Sequence, residues 1–241
     1  KGNFIVEKQQ KIVTMFDEIS KNYDIANRIL SMGVDVSWRR NACNIAFNLY
    51  DKTTIETVVD VACGTGDMIY FWLESAKKNG VEIQKIGGID PSGGMLSVAK
   101  RKMPQIEFVQ ASADLLPLED NSVDIISISY GIRNVVNRVE AIKEFHRVLK
   151  PGGLLVILEF TKNEKQNFGD FLVDFYMNKI LPILGNLVTK HKEAYTYLPN
   201  SIEEFLTTEK LSKELDENGL KPVCVKPFTM RISTLFIARK V

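Results

Sequence analysis

Apolar residues recur at helical spacing through residues 8–50, as at Ile12, Met15, Phe16, Ile19 and Tyr23, and then the period changes. The run Thr57–Ala62 is β-branched and ends in Gly64-Thr65-Gly66, with a helical stretch following through Lys78. The pattern predicts further strands at 85–90, 106–110, 123–129 and 154–160, and helices at 92–101 and 138–149. Strands alternating with helices of about a dozen residues imply right-handed crossovers and a mostly parallel sheet of α/β type. Beyond residue 160 the spacing predicts helices over 166–188 and 202–218, then strands at 221–225 and 233–239. The short connection between those last two suits an antiparallel hairpin at the sheet edge. No repeat, low-complexity tract or linker interrupts the chain, so a single domain over 1–241 is expected.

Composition narrows the function classes. Thirty-one basic and thirty acidic side chains leave a net charge of +1, which gives no electrostatic footprint for nucleic acid. Three cysteines far apart, Cys43, Cys63 and Cys224, and only two histidines, His146 and His191, supply neither a zinc spacing nor a disulfide framework. Reduced thiols fit a reducing cytosol. The stretch Lys1–Asp17 is polar and amphipathic with no secretory apolar core. The longest apolar stretch, Phe168–Val188, is interrupted by Asp170, Asp174, Lys179 and Pro182 and is no bilayer span. A cytoplasmic protein is expected.

The candidate chemistry sits where the strands end. Gly64 and Gly66 permit a tight turn and close backbone approach to a ligand at a helix N-terminus. The third glycine of the dinucleotide pattern would fall at Ile69 and is missing, while Asp60 precedes the turn and Asp67 opens the helix. Carboxylates there repel a diphosphate and suit a cationic ligand such as a sulfonium carrying an amino group. Asp67 also reads as a plain helix-dipole residue. Asp90 ends the second strand 24 residues after Gly66, the placement of a ribose-hydroxyl acceptor, with a helix N-cap as its other reading. Ser112-Ala113-Asp114 follows the third strand, where an adenine edge would lie, and Ser129-Tyr130-Gly131 ends the fourth at the switch point of an open sheet.

Asp60–Asp67, Gly88-Ile89-Asp90, Gly94-Met95-Leu96, Leu116-Pro117-Leu118 and Val148–Gly153 resemble the class I S-adenosylmethionine methyltransferases. Phe16–Ser20 with Tyr23-Asp24, Asn27-Arg28 and Trp38-Arg39-Arg40, then Gly131–Val135, Leu158-Glu159-Phe160 and Tyr197–Ile202, are similar to the menaquinone/ubiquinone biosynthesis C-methyltransferases, almost end to end. The resemblance implies a Rossmann-like, seven-stranded sheet with N-terminal helices and a helical insertion after the fifth strand. It divides the chain into a helical cap over 1–50, a cofactor-binding core over 57–160, a helical substrate-side region over 165–218 and C-terminal strands over 221–241. Cofactor contacts of the family fall on Thr65, Asp90, Ser112, Ala113 and Ser129; Asp60, Gly64, Gly66 and Asp114 join them from the reading of the strand ends. Two departures stand out. Ser112 replaces the family's common asparagine or aspartate, and Met230-Arg231 replaces a common glycine pair.

By the same resemblance the expected reaction is methylation of a ring carbon on a demethylated polyprenyl quinol: demethylmenaquinol to menaquinol, with the ubiquinol precursor as a further substrate. Methylation of another small molecule is the alternative, and an NAD-binding protein the more distant one. Arg133, just past the fourth strand, is the candidate cation for a developing phenolate. Tyr23 is the candidate for orienting the quinol or covering the methionine moiety. The alternatives are loop-carbonyl bonding for Arg133 and plain packing for Tyr23. The apolar face from Phe168 to Leu187 suits core packing, an isoprenoid groove or peripheral membrane contact. His146 and His191 take structural and surface readings, and the sequence identifies neither a general base nor an oligomeric state.

Overall fold

The sheet has seven strands, and its central ones are apolar and buried on both faces, as parallel strands covered by helices must be. A computed structural model describes residues 2–162 and 192–241. The strands are β1 Thr54–Val61, β2 Glu82–Asp90, β3 Glu107–Gln110, β4 Val123–Ser129, β5 Leu149–Glu159, β6 Leu220–Phe228 and β7 Ser233–Lys240. Their order is β3-β2-β1-β4-β5-β7-β6, parallel throughout except for β7. The reversal of order between β1 and β4 opens a crevice at the carboxyl ends of these strands, the ligand-binding place of such sheets.

Alternation sorts the strand residues between two cores. Val58, Ile125 and Val156 face one side, packed with Trp38, Phe47 and Trp72. Val59, Ile126 and Leu155 face the other, packed with Ile142, Phe145, Leu211 and Leu215. The first side is covered by α3 (Val34–Tyr50), α4 (Asp67–Asn79) and α5 (Gly93–Lys102). The second is covered by α6 (Arg138–Val148) and α8 (Thr208–Glu217). Ahead of them come α1 (Gly2–Ile19), a 3-10 turn at Ser20–Asn22 and α2 (Tyr23–Leu30), while α7 (Lys192–Glu203) leads into α8.

The expected helix over 202–218 is two helices. Thr207 caps α8 by accepting the Lys210 N–H at 3.3 Å, so the chain breaks there instead of running through. The expected helix over 166–188 and His191 lie outside the described residues. His146 sits on α6 and its imidazole fills the space beside Gly219, next to the start of β6 and away from the carboxyl edge of the sheet. At the sheet's borders, β3 has four residues and β6 carries Pro222 and Pro227.

The turn between β6 and β7 holds Thr229, Met230 and Arg231 in succession at φ +42°, +50° and +66°. That is glycine's backbone region, built here from residues with side chains, each strained by about 1 kcal/mol or more. The departure at Met230-Arg231 thus puts two side chains into a backbone region that favours glycine, at a cost in stability. The double substitution Met230→Gly/Arg231→Gly is expected to raise stability by about 1 kcal/mol net of glycine's unfolded-state entropy. A urea titration checks this; a lowered midpoint at unchanged slope would contradict it.

Candidate active site

One carboxylate organises the carboxyl edge. The turn after β1 passes through Ala62 at φ +49°, Gly64 at +54° and Gly66 at +86°. Its Gly64 N–H donates to Asp90 Oδ2 at 2.8 Å, and Ser92 N–H donates to Asp90 Oδ1 at 2.8 Å. Asp90 therefore ties the turns following β1 and β2 together. Burial pushes its carboxyl up to about 6, helped by the charge of Asp17 and opposed by the two N–H donors. Gly66 has a packing reason as well: a Cβ there would stand 2.4 Å from Met103 Cε.

The N-terminal helices lie across this edge and are pinned by polar bonds. Asp17 on α1 accepts from Ser92 Oγ at 2.5 Å and Gly94 N–H at 2.8 Å, occupying the start of α5. Thr65 Oγ1 donates to Asp24, whose other oxygen pairs with Lys102 at 2.8 Å. Asp67 is held between Lys102 at 2.9 Å and Arg28 at 2.7 Å. Burial opposes its ionisation, yet the Lys102 hydrogen bond and the charges of Lys102, Arg39 and Arg28 keep it below the ordinary carboxylate range. Arg28 also pairs with Asp35, which pairs in turn with Arg39.

Beneath the turn, Asp60 is fully buried. It accepts from Ser127 Oγ at 2.6 Å, while Trp72 Nε1–H donates to that same hydroxyl oxygen at 2.9 Å. Desolvation pushes its carboxyl up to about 7 against the Ser127 bond and the Arg39 charge. The anionic rim expected at Asp60, Asp67 and Asp90 is therefore reduced. Asp60 lies under the wall, Asp67 is neutralised by two cations, and only Asp90 faces the cavity.

The cavity encloses about 640 Å³, part of it open to solvent. Of the expected site residues, Tyr23, Gly64, Asp90, Ser112, Ala113 and Ser129 line it. Asp60, Thr65, Gly66, Asp114 and Arg133 do not. Asp114 is held behind by Ser112 Oγ–H and by Asn137 Nδ2–H at 2.8 Å. Arg133 bonds the Tyr130 carbonyl at 2.8 Å and Glu159 at 2.6 Å, with Glu159 wholly buried. It stands behind a wall made by Tyr130, Gly131 and Asn134. Sequence reasoning missed the part of the lining that α1 supplies, Gln9, Ile12, Val13 and Phe16. The helical spacing of Ile12 and Phe16 was the available signal, but it does not say what such a face covers.

The lining fits S-adenosylmethionine. Asp90 has a free lone pair on each oxygen for ribose hydroxyls, and Ile12, Val13, Met95 and Val135 give apolar walls for a purine. The strongest mark is Ser129 Oγ, which is buried on the cavity wall without a hydrogen-bond partner among the described residues. Buried hydroxyls are nearly always satisfied, so an orphan facing a cavity awaits a ligand.

The model of the ubiE/COQ5 methyltransferase family matches residues 4–240. The chain belongs to that family. The ubiquinone/menaquinone biosynthesis C-methyltransferase UbiE of Campylobacter jejuni subsp. jejuni is 53% identical over 235 residues, spanning 98% of this chain and 100% of that one. The demethylmenaquinone methyltransferase of Chlorobaculum tepidum is 35% identical, spanning 97% and 94%. A SAM-dependent methyltransferase from Aquifex aeolicus superposes with a TM-score of 0.56 at 19% identity, covering 79% of this chain and 85% of that one. At that identity it supports the fold alone, and the Rossmann-like expectation stands. Membership of a methyltransferase family decides against the NAD-binding alternative.

Because Ser129 Oγ has no partner among the described residues, Ser129→Ala is expected to leave thermal stability unchanged and to weaken S-adenosylhomocysteine binding roughly five- to tenfold. Calorimetric titration checks it; equal affinity removes Ser129 from the site. Protonation would take an acceptor from Asp90. Affinity is therefore expected to be flat above about pH 7 and to fall as pH drops through about 6. Asp90→Asn should abolish that dependence while lowering affinity at every pH.

Proposed function

We propose that this chain transfers the methyl group of S-adenosylmethionine to a ring carbon of a demethylated polyprenyl quinol, demethylmenaquinol foremost, with the ubiquinol precursor as a second substrate. One observation carries the reading beyond the family name. The segments most particular to the quinone C-methyltransferases meet around this one cavity. Phe16 and Tyr23 line it from the N-terminal helices, and Gly131 and Asn134 from the segment after β4. Tyr197 Oη–H of α7 donates to Asn134 Oδ1 at 2.9 Å, and Arg133 Nε–H donates to Ser201 Oγ at 3.3 Å. Motifs scattered through the sequence thus build one surface.

The bound cofactor supplies an activated methyl on a sulfonium whose C–S electron pair stays with sulfur. The protein's share is to align a nucleophilic carbon and to favour the quinol in its phenolate form. Tyr23 reports the field there. Burial pushes its phenol up, while an Asn27 hydrogen bond and the charges of Arg133 and Arg39 pull it down. Burial wins and leaves the Tyr23 phenol above its ordinary value, so a quinol hydroxyl in the same place meets a desolvation that resists its ionisation and two arginines that offset part of it. We assign Tyr23 to orienting the ring. Arg133 acts through the wall, holding Tyr130 and Asn134 in place and lending a field that Glu159 partly offsets. The ring carbon then bonds the methyl and releases its own proton to solvent.

The substrate's tail keeps it in a bilayer, so the proposal puts the enzyme in the cytoplasm with peripheral contact at the inner membrane face. Among the described residues no helix is long and apolar enough to cross a membrane.

The deciding assay supplies labelled methyl donor with demethylmenaquinol and, in parallel, a panel of small phenols, and identifies the product by mass. Turnover confined to the phenols would replace this reading with methylation of another small molecule. Arg133→Lys is expected to lower kcat at least about tenfold and to move the acid limb of the kcat–pH profile upward, with cofactor affinity kept. An unmoved limb would restrict Arg133 to a structural role.

A further inference from the structure

The short helix α2 is amphipathic the wrong way round for a surface helix. Its charged residues turn inward: Asp24 onto Thr65 and Lys102, Arg28 onto Asp67 and Asp35. Ala26 is buried and Tyr23 lines the cavity. Ile25 and Ile29, one helical turn apart, point to solvent at 61% and 45% exposure, and Met32 follows at 76%. A surface helix normally shows water its charges and the core its aliphatics. Here the charges hold the helix to the body while the apolar stripe faces out.

A second apolar tip lies on the same edge of the molecule. The strained β6–β7 turn precedes β7, whose Thr234 pairs with Glu159 at the carboxyl end of β5. Trp38 Nε1–H donates to Thr229 Oγ1 at 2.9 Å, which ties that turn to α3, the helix that starts two residues after Met32. The turn exposes Met230 at 60%. Arg231 beside it and Lys21 just before α2 are exposed and make no ion pair among the described residues. Apolar side chains with two uncompensated cations at one edge complement a surface that is apolar below and anionic above.

We propose that Ile25, Ile29, Met32 and Met230, with Lys21 and Arg231, form the face by which the enzyme docks on an anionic bilayer, setting its cavity mouth against the lipid. The proposal rests on the reading of the substrate as a polyprenyl quinol. The apolar stripe enters the headgroup boundary while the two cations meet lipid phosphates. Tyr23, on the inward face of the same helix, is thereby held at the entry to the cavity.

The test is co-sedimentation of the full chain with vesicles of phosphatidylcholine alone and with added phosphatidylglycerol. Wild type is expected in the pellet with the anionic vesicles, released by salt. Lys21→Gln/Arg231→Gln should lower that affinity about 25-fold, the product of roughly fivefold for each juxtamembrane cation. Ile25→Glu/Ile29→Glu should abolish it. With a tailless, water-soluble quinol these variants should turn over like wild type, and with vesicle-embedded quinol they should not. Vesicle binding is read without turnover, so failure of the substrate reading and failure of this face are separable. Wild type left in the supernatant, or variants that pellet equally, overturns the face. So does a concentration-dependent dimer that Ile29→Glu splits in the absence of vesicle binding, which would give the stripe to a second copy of the chain.

Discussion

The carboxylate of Asp90 is the constraint on which the site depends. It accepts one N–H from each of two turns that belong to different strands, and so fixes their separation. A carboxylate can do this and still keep lone pairs for a ligand, since each oxygen accepts more than once. Its burial has a price in ionisation, visible in its displacement to about 6. That displacement ties the form of the cavity floor and its capacity to accept hydroxyls to the same titration.

Around Asp90 the structure handles charge by pairing. Lys102, Arg28 and Arg39 alternate with Asp24, Asp67 and Asp35 in a chain of contacts that joins α2 and α3 to the turn after β1 and to α5. Three cations and three carboxylates leave this network with no net charge. Exposed pairs contribute little singly, but a connected network that includes the buried Asp35–Arg39 pair fixes orientation, because leaving either of those two unpaired is costly. The network thus fixes α2, which brings Tyr23 to the cavity, onto the body of the protein.

Much of the sheet was legible in the sequence. The run Thr57–Ala62 and the stretch at 123–129 are rich in β-branched residues, the stretch at 154–160 is a short apolar run, and helical periods separate them, which leaves little freedom of assignment. The strand-end residues Gly64, Asp90, Ser112, Ala113 and Ser129 were legible for the same reason, since topology alone brings them to one edge. The position of Asp60 under the wall and of Asp67 between two cations was not legible, because their partners lie far off in the sequence. Arg28 pairs with Asp67 across 39 residues, and no local spacing announces that. The α1 wall was hidden for another reason: amphipathic spacing at Ile12 and Phe16 shows that a face is covered, not by what. The break before α8 was there to read at Thr207, a capping residue inside an otherwise continuous helical period.

The two ends of the sheet deserve a last consequence. β3 offers only four residues, and β6 sets Pro222 and Pro227 among Lys221 and Lys226 along its free side. Prolines lack the N–H that a newcomer's backbone would need, and lysines repel a like partner brought alongside. Sideways growth of this sheet into fibrils, or fusion of two sheets into a continuous one, finds no template at either border.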